Sequence, residues 1–460
     1  MKKNQIFLKT LKWCHLPILF LILNLHCNSW GLYDKLHNVN NNTGGSSGGS
    51  KCAAPPYLGS TNTTAKRVYG QFGSFTSAVQ NNDGTGVIWT ATADNLNGPN
   101  GVVSDYNGVY VVDSGNNRVL YYSGSSTTAT RVYGHLGNIL TCGVANDGGG
   151  CVTGGTPTVD SLFSPTGVAI DSTGVYIADN GNHRVLYYSG TSTTATRVYG
   201  QSGDFTCGVV NRGPGTGPGT CGSAAVSADS LSSPVWVAID STGVYIADSN
   251  NNRVLYYPGT STTASRVYGQ FGNPNCNAAN VKDNTCTLAG ITSNQSLSGP
   301  GGVAVDSTGV YIADTGNVRV LYYPGTSTTA TRVYGQFGSF TSAVSNHNGL
   351  GVSGNPSANN LGGIYIVALD CSGVYITDAQ NSRVLYYPGT STTASRVYGQ
   401  SGSFTCGVAY NDGTCTNVAT PTADNLGASI GPGMTTFLGI HIGPAGVYIS
   451  ESLNQRVLVY

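Results

Sequence analysis

Cysteines, histidines and a recurring Asp–Arg couple are the residues of this 460-residue chain with chemistry to offer. Eight of the 12 cysteines come as close pairs: Cys142 and Cys151, Cys207 and Cys221, Cys276 and Cys286, Cys406 and Cys415. Their separations of nine, fourteen, ten and nine residues, with no histidine alongside, are unlike the tight Cys and His steps of a zinc site. They predict local disulfides in an oxidising compartment, each stabilising its loop by about 2–3 kcal/mol. Acids recur at Asp113, Asp179, Asp248, Asp314 and Asp378, and each has an arginine five residues on (Arg118, Arg184, Arg253, Arg319, Arg383). A residue needed in every copy of a repeat marks folding rather than a single site. These acids are expected to accept backbone N–H bonds in the Asn-rich turn that follows them. His135, His183, His347 and His441 fall on unlike positions and assemble no cluster. No ring of acids or histidines suited to calcium or zinc is visible, so neither a catalytic residue, a metal nor a cofactor is expected.

The elements that carry these residues repeat. GVYIADSNNNRVLYYPGTSTTASRVYGQ at Gly243–Gln270 recurs almost word for word at 174–201 and 309–336, and less closely at 108–135 and 373–400. A truncated copy, GVYISESLNQRVLVY, ends the chain at Tyr460, and an isolated RVYGQ stands at Arg67–Gln71. The arginine after the Asn-rich turn falls at 118, 184, 253, 319, 383 and 456, at intervals of 66, 69, 66, 64 and 73 residues. Such a period signals a solenoid or propeller. Alternation and turn residues give four strands per unit: Val235–Asp240, Val244–Asp248, Arg253–Tyr257 and Arg266–Gly269.

The stretch SPTGVAIDSTGVYIADNGNHRVLYY at 164–188 resembles an NHL repeat, with its Pro-x-Gly-Val-Ala-Val-Asp, Val-Ala-Asp and Asn-x-Arg-Val. The resemblance covers about residues 66–460 in six copies. It implies an all-β, six-bladed β-propeller of four-stranded antiparallel blades. The last copy departs most, with Ser450-Glu451 for Ala-Asp and Gly443 for the turn aspartate. It lacks a fourth strand, which Arg67–Gln71 is expected to supply, closing the ring and removing an open edge. On this topology one face carries short uniform turns, and the other carries connections of about 25–40 residues that differ between blades, the usual seat of function. Strand a of each blade would line the axis, its upper ends being Asn100, Thr166, Val235, Gly301, Gly363 and Thr436.

Residues 1–27 read as an export signal: Lys2, Lys3, Lys9 and Lys12, then an apolar run at Leu16–Leu25, then Cys27. That order resembles a bacterial lipoprotein signal, which would make Cys27 the lipidation site; loose forms of this box are typical of spirochaetes. Plain secretion and an uncleaved anchor are the alternatives. Residues 28–65 read as a Gly/Ser/Asn tether. Beyond the signal the chain has 17 basic and 21 acidic residues. Its arginines follow the repeat rather than forming a patch, so nucleic acid is not an expected partner. Cys52 and Cys371 are expected to pair.

The function these features suggest is a cell-envelope or extracellular binding or scaffold module. It would hold a protein or glycan through the disulfide-braced loops, with Phe75, Trp89, Phe205, Phe340 and Phe404 as binding-face candidates. An extracellular metal-dependent lyase or hydrolase, which the resemblance also allows, and a structural envelope protein are the alternatives.

Overall fold

The computed structural model describes residues 64–85, 90–139, 143–147, 155–212, 221–286, 292–417, 420–427 and 438–460. The signal, nearly all of the tether, Cys27, Cys52, Trp89, Thr436 and the Cys142–Cys151 pair lie outside them. No helix of the described residues is long and apolar enough to cross a membrane.

Six antiparallel four-stranded sheets form the blades of a propeller. In blade 3 the strands are Pro234–Asp240 (a), Gly243–Asp248 (b), Arg253–Pro258 (c) and Arg266–Tyr268 (d). Strands b and c are buried on both faces because each blade is sandwiched between two others. This is why GVYIAD and RVLYY read as unbroken apolar runs. The a–b turn is tied by Asp240, whose Oδ1 accepts the Thr242 and Gly243 N–H groups at 2.7 and 3.0 Å. Gly243 is required there, since a Cβ would lie 2.1 Å from the Tyr257 carbonyl oxygen.

Blade 6 takes strands a to c from the end of the chain, Leu438–Gly443, Gly446–Glu451 and Arg456–Val459, and its d strand from Arg67–Tyr69. The register of that closure is Arg67 with Val459, Val68 with Leu458 and Tyr69 with Val457.

Two tyrosines per strand c divide the packing. Tyr257 is fully buried between blades, its ring 5.1 Å from Tyr199 on strand d of the preceding blade. The same contact recurs round the ring and bridges the closure, Tyr398 to Tyr460 at 5.6 Å and Tyr69 to Tyr122 at 5.0 Å. Tyr256 is also buried, on the opposite face of the strand, with the Arg266 guanidinium 4.5 Å above its ring. The two hydroxyls differ. That of Tyr256 donates to the Thr242 carbonyl at 3.0 Å, whereas that of Tyr257 has no partner among the described residues. Tyr257→Phe is therefore expected to leave stability unchanged or raise it by up to about 1 kcal/mol, and Tyr256→Phe to lower it by about 1 kcal/mol. Urea midpoints of the two variants check this, and equal losses would contradict it.

Candidate functional site

The Asp–Arg couple proves to be the staple of the long connections. In blade 3, Arg253 Nε donates to Asp248 Oδ2 at 2.8 Å, with both side chains fully buried. The guanidinium then donates to the Ser227 and Ser230 carbonyls in the connection before the blade, each at 2.9 Å, and to the Pro274 carbonyl in the connection after it. Asp248 Oδ1 accepts not a turn amide but the Ser232 N–H, 16 residues back, at 2.7 Å. Each blade repeats the device, with Glu451 serving Arg456 in blade 6. Burial pushes the Asp179, Asp248 and Asp314 carboxyls up from their usual range, opposed chiefly by the paired arginine.

A second device is hidden inside the apparently variable connections. Asn251 exchanges amide hydrogen bonds with Asn211 at 2.7 and 3.1 Å, and blades 1, 2, 4 and 5 do the same through Asn81, Asn146, Asn280 and Asn346. Each loop asparagine has φ near +50° and donates its N–H to a leucine carbonyl further on (Asn211 to Leu231, 3.0 Å). In blade 6 Tyr410 takes this place, its hydroxyl donating to Asn454 at 2.6 Å. The connections thus begin and end in framework, and the excursion between, such as 212–226, 281–292 or 411–421, differs in sequence from blade to blade. Each described disulfide ties an excursion to that framework. Cys207, Cys276 and Cys406 are buried, and their partners Cys221, Cys286 and Cys415 lie further out. Cys371 is exposed in the a–b turn of blade 5.

The phenylalanines are placed by the staple. Phe75, Phe205, Phe340 and Phe404 present their carbonyls to Arg456, Arg184, Arg319 and Arg383. Their rings are half-buried against the core, one in each of four blades. More exposed are Phe72, Leu136 and Phe337, at 49, 51 and 47%, which sequence reasoning did not single out. They sit in a left-handed turn after strand d (Gln71, Phe72 and Gly73 have φ of 52°, 48° and 80°).

At the axis the repeat breaks its own symmetry. Strand a of blade 5 starts at Ile364, so Tyr365, not Gly363, stands level with Gly301. The next residue inward is glycine in four blades (Gly101, Gly167, Gly302, Gly439) but Trp236 in blade 3 and Ile366 in blade 5. The channel mouth on the long-loop face holds a cavity of about 190 Å³. Val235 and Trp236 of blade 3, Gly299 and Gly301 leading into blade 4, and Tyr365 and Ile366 of blade 5 line it. Asn100, Thr166, Ser249, Thr315 and Gly439 complete the rim. Among the described residues no group of three or more His, Cys, Asp or Glu side chains could hold a metal.

His441, on the axial strand of blade 6, reaches sideways. Its Nε2 lies 3.2 Å from the Ser104 carbonyl of blade 1 and its ring packs on Tyr448. Burial lowers its pKa to about 4. The unfolded chain takes up this proton near pH 6.5 and the folded chain only near pH 4, so its contribution is full above pH 6.5 and falls as the pH drops towards 4. The loss by pH 4 is about 3 kcal/mol at most. His183, its pKa also lowered by burial, acts in the same sense. Urea unfolding at pH 5 and 7.5 is expected to show a smaller pH difference for His441→Gln than for the parent; an equal difference would refute the assignment.

No protein-family model and no curated protein matches the chain. Solved structures similar to it include a nidogen/laminin complex, at 14% identity and a TM-score of 0.38, covering 66% of this chain and 81% of that one. Another is a catalytically inactive virginiamycin B lyase from Staphylococcus aureus with quinupristin, at 8% identity and a TM-score of 0.39, covering 80% of this chain and 81% of that one. A third is the glutaminyl cyclase of Myxococcus xanthus, at 10% identity and a TM-score of 0.33, covering 66% of this chain and 91% of that one. Likenesses this distant say nothing about what the chain does.

Proposed function

We propose that the chain is an exported NHL-type propeller, anchored by lipid at Cys27, that binds a protein or glycan through its long-loop face. One observation carries this reading: the largest differences between blades lie in excursions on a single face, and disulfides brace them there at Cys207–Cys221, Cys276–Cys286 and Cys406–Cys415. Bracing lowers the entropy lost when a loop is immobilised on a partner, which favours recognition. Disulfides also suit a compartment outside the reducing cytosol. The opposite face repeats DSTG and PGTSTTA-type turns from blade to blade and offers little to discriminate one partner from another.

The test exchanges excursions between blades, placing 411–421 where 281–292 stands and the reverse, so that Asn280, Tyr410 and a disulfide in each loop persist. Binding of the full-length chain to glycan and extracellular-matrix arrays is expected to fall at least tenfold with an unchanged melting temperature. Unchanged binding would place recognition elsewhere.

A further inference from the structure

We infer that the channel mouth between blades 3 and 5 seats one neutral sugar ring, the terminal residue of a glycan held by the loop face. This rests on the loop-face reading above and adds to it a specific subsite.

Symmetry is the first argument. In near-identical repeats, the framework needs the same residue in each blade, and glycine at the inner strand position serves four of them. Trp236 and Ile366 depart from that rule, on either side of the one blade that carries Gly301 and Gly302 in succession. Two bulky residues flanking a glycine blade give the channel mouth a lining that six equal blades would lack.

The lining supplies the second. Among the described residues it holds no carboxylate, amine or guanidinium, and burial keeps the Tyr365 phenol protonated. An ion entering the cavity would shed water without a countercharge, so the occupant is neutral. Aromatic and aliphatic walls favour a flat C–H face, while the Asn100 amide and the Thr166, Ser249 and Thr315 hydroxyls favour an occupant that also hydrogen-bonds.

A third argument concerns Thr315. The residues at its position in blades 1, 2 and 6, Ser114, Asn180 and Ser452, donate to the carbonyls of Pro165, Pro234 and Pro99 in the next blade. Thr315 Oγ1 is buried with no partner among the described residues, and it lines the cavity. Such an atom destabilises the fold unless something supplies a bond. A sugar hydroxyl would supply it, whereas a plain phenyl ring would not. Size agrees, because an apolar cavity of about 150 Å³ admits benzene, and this one measures about 190 Å³.

Thr315→Val keeps the shape and deletes the hydroxyl. Full-length protein is titrated with methyl hexopyranosides, methyl N-acetylhexosaminides and N-acetyltyrosinamide, with binding read by saturation-transfer NMR and calorimetry. At least one glycoside is expected to bind with a Kd in the millimolar range. Thr315→Val should weaken it about tenfold while melting no lower than the parent, and Tyr365→Ala should abolish it. The excursion exchange described above should leave glycoside binding intact. Absence of glycoside binding, equal binding by Thr315→Val, or tighter binding of N-acetyltyrosinamide would each overturn the inference. Array binding that Thr315→Val leaves intact, with no glycoside bound, overturns the axial subsite alone and leaves the loop-face reading standing.

Discussion

Arg253→Met is expected to lower the unfolding free energy by about 3–5 kcal/mol, the cost of breaking a buried ion pair by removing one partner. Asp248 would remain fully buried beside Asn251, and burial already pushes its carboxyl up, so it would take up a proton. Three carbonyls, of Ser227, Ser230 and Pro274, would lose their donor at the same time. Because those carbonyls belong to the two connections flanking blade 3, hydrogen exchange should rise in 227–232 and 273–281 before it rises in the strands. Arg266→Met in the same blade is the control. That guanidinium lies over Tyr256 with part of its surface in water, and a cation–π contact at such a site is worth about 0.5–1 kcal/mol. Equal losses in the two variants would sink the staple, since the burial that separates them would then carry no weight.

This contrast bears on how the sequence could be read. The blades were legible because their signals are local: GVYIAD and RVLYY are strand runs, DSTG is a turn, and the period counts the blades. The ring closure was legible from a surplus RVYG at one end and a missing one at the other. The inner framework of the connections was not. Asn211 and Asn251 are 40 residues apart, and nothing near Asn211 shows that its amide meets a partner. An asparagine ten residues after the glutamine that follows strand d (Asn81, Asn211, Asn280 and Asn346), and eleven after His135 in the case of Asn146, was the available signal, diluted by the excursions beside it. Sorting by face therefore assigned whole connections to recognition, where their two ends serve the framework.

The axis shows the opposite failure. Strand a of blade 5 was aligned on its glycines, so Gly363 was set level with Gly301. The structure aligns it on Asp370 at the far end, where the a–b turn fixes register, and that brings Tyr365 to the mouth. In a strand whose side chains alternate, register decides which face a residue serves. A tyrosine was thus missed where a glycine was expected. The one histidine on an axial strand, His441, bonds a neighbouring backbone, whereas Trp236 lines the cavity. In a repeat this regular, the departures from the consensus were a better guide than the reactivity of the residue type.

Removing the chain through Gly70 is expected to cost the most of any change considered, because it takes the outer strand from blade 6. Val68 and Tyr69 are almost fully buried, and losing their burial alone costs about 3–6 kcal/mol. The loss does not stop there. Tyr122 of blade 1 would lose the ring of Tyr69 that packs on it at 5.0 Å, so the seam between the first and last blades would lose contacts on both sides. Arg456 would also lose the Phe75 carbonyl if the segment after the strand came free. Strand Arg456–Val459 would become an open edge with unpaired backbone groups, a template for pairing with another chain. The truncated protein should therefore elute as dimers or larger species, bind a hydrophobic dye, and melt well below the parent. A synthetic peptide of residues 64–75 should restore the monomer and raise the melting temperature in proportion to its concentration, since it supplies the same three register pairs in trans. If the truncated chain stays monomeric and melts within a few degrees of the parent, the ring is held by the tyrosine contacts between blades 5 and 6 and by the axial strands, and the closing strand is dispensable.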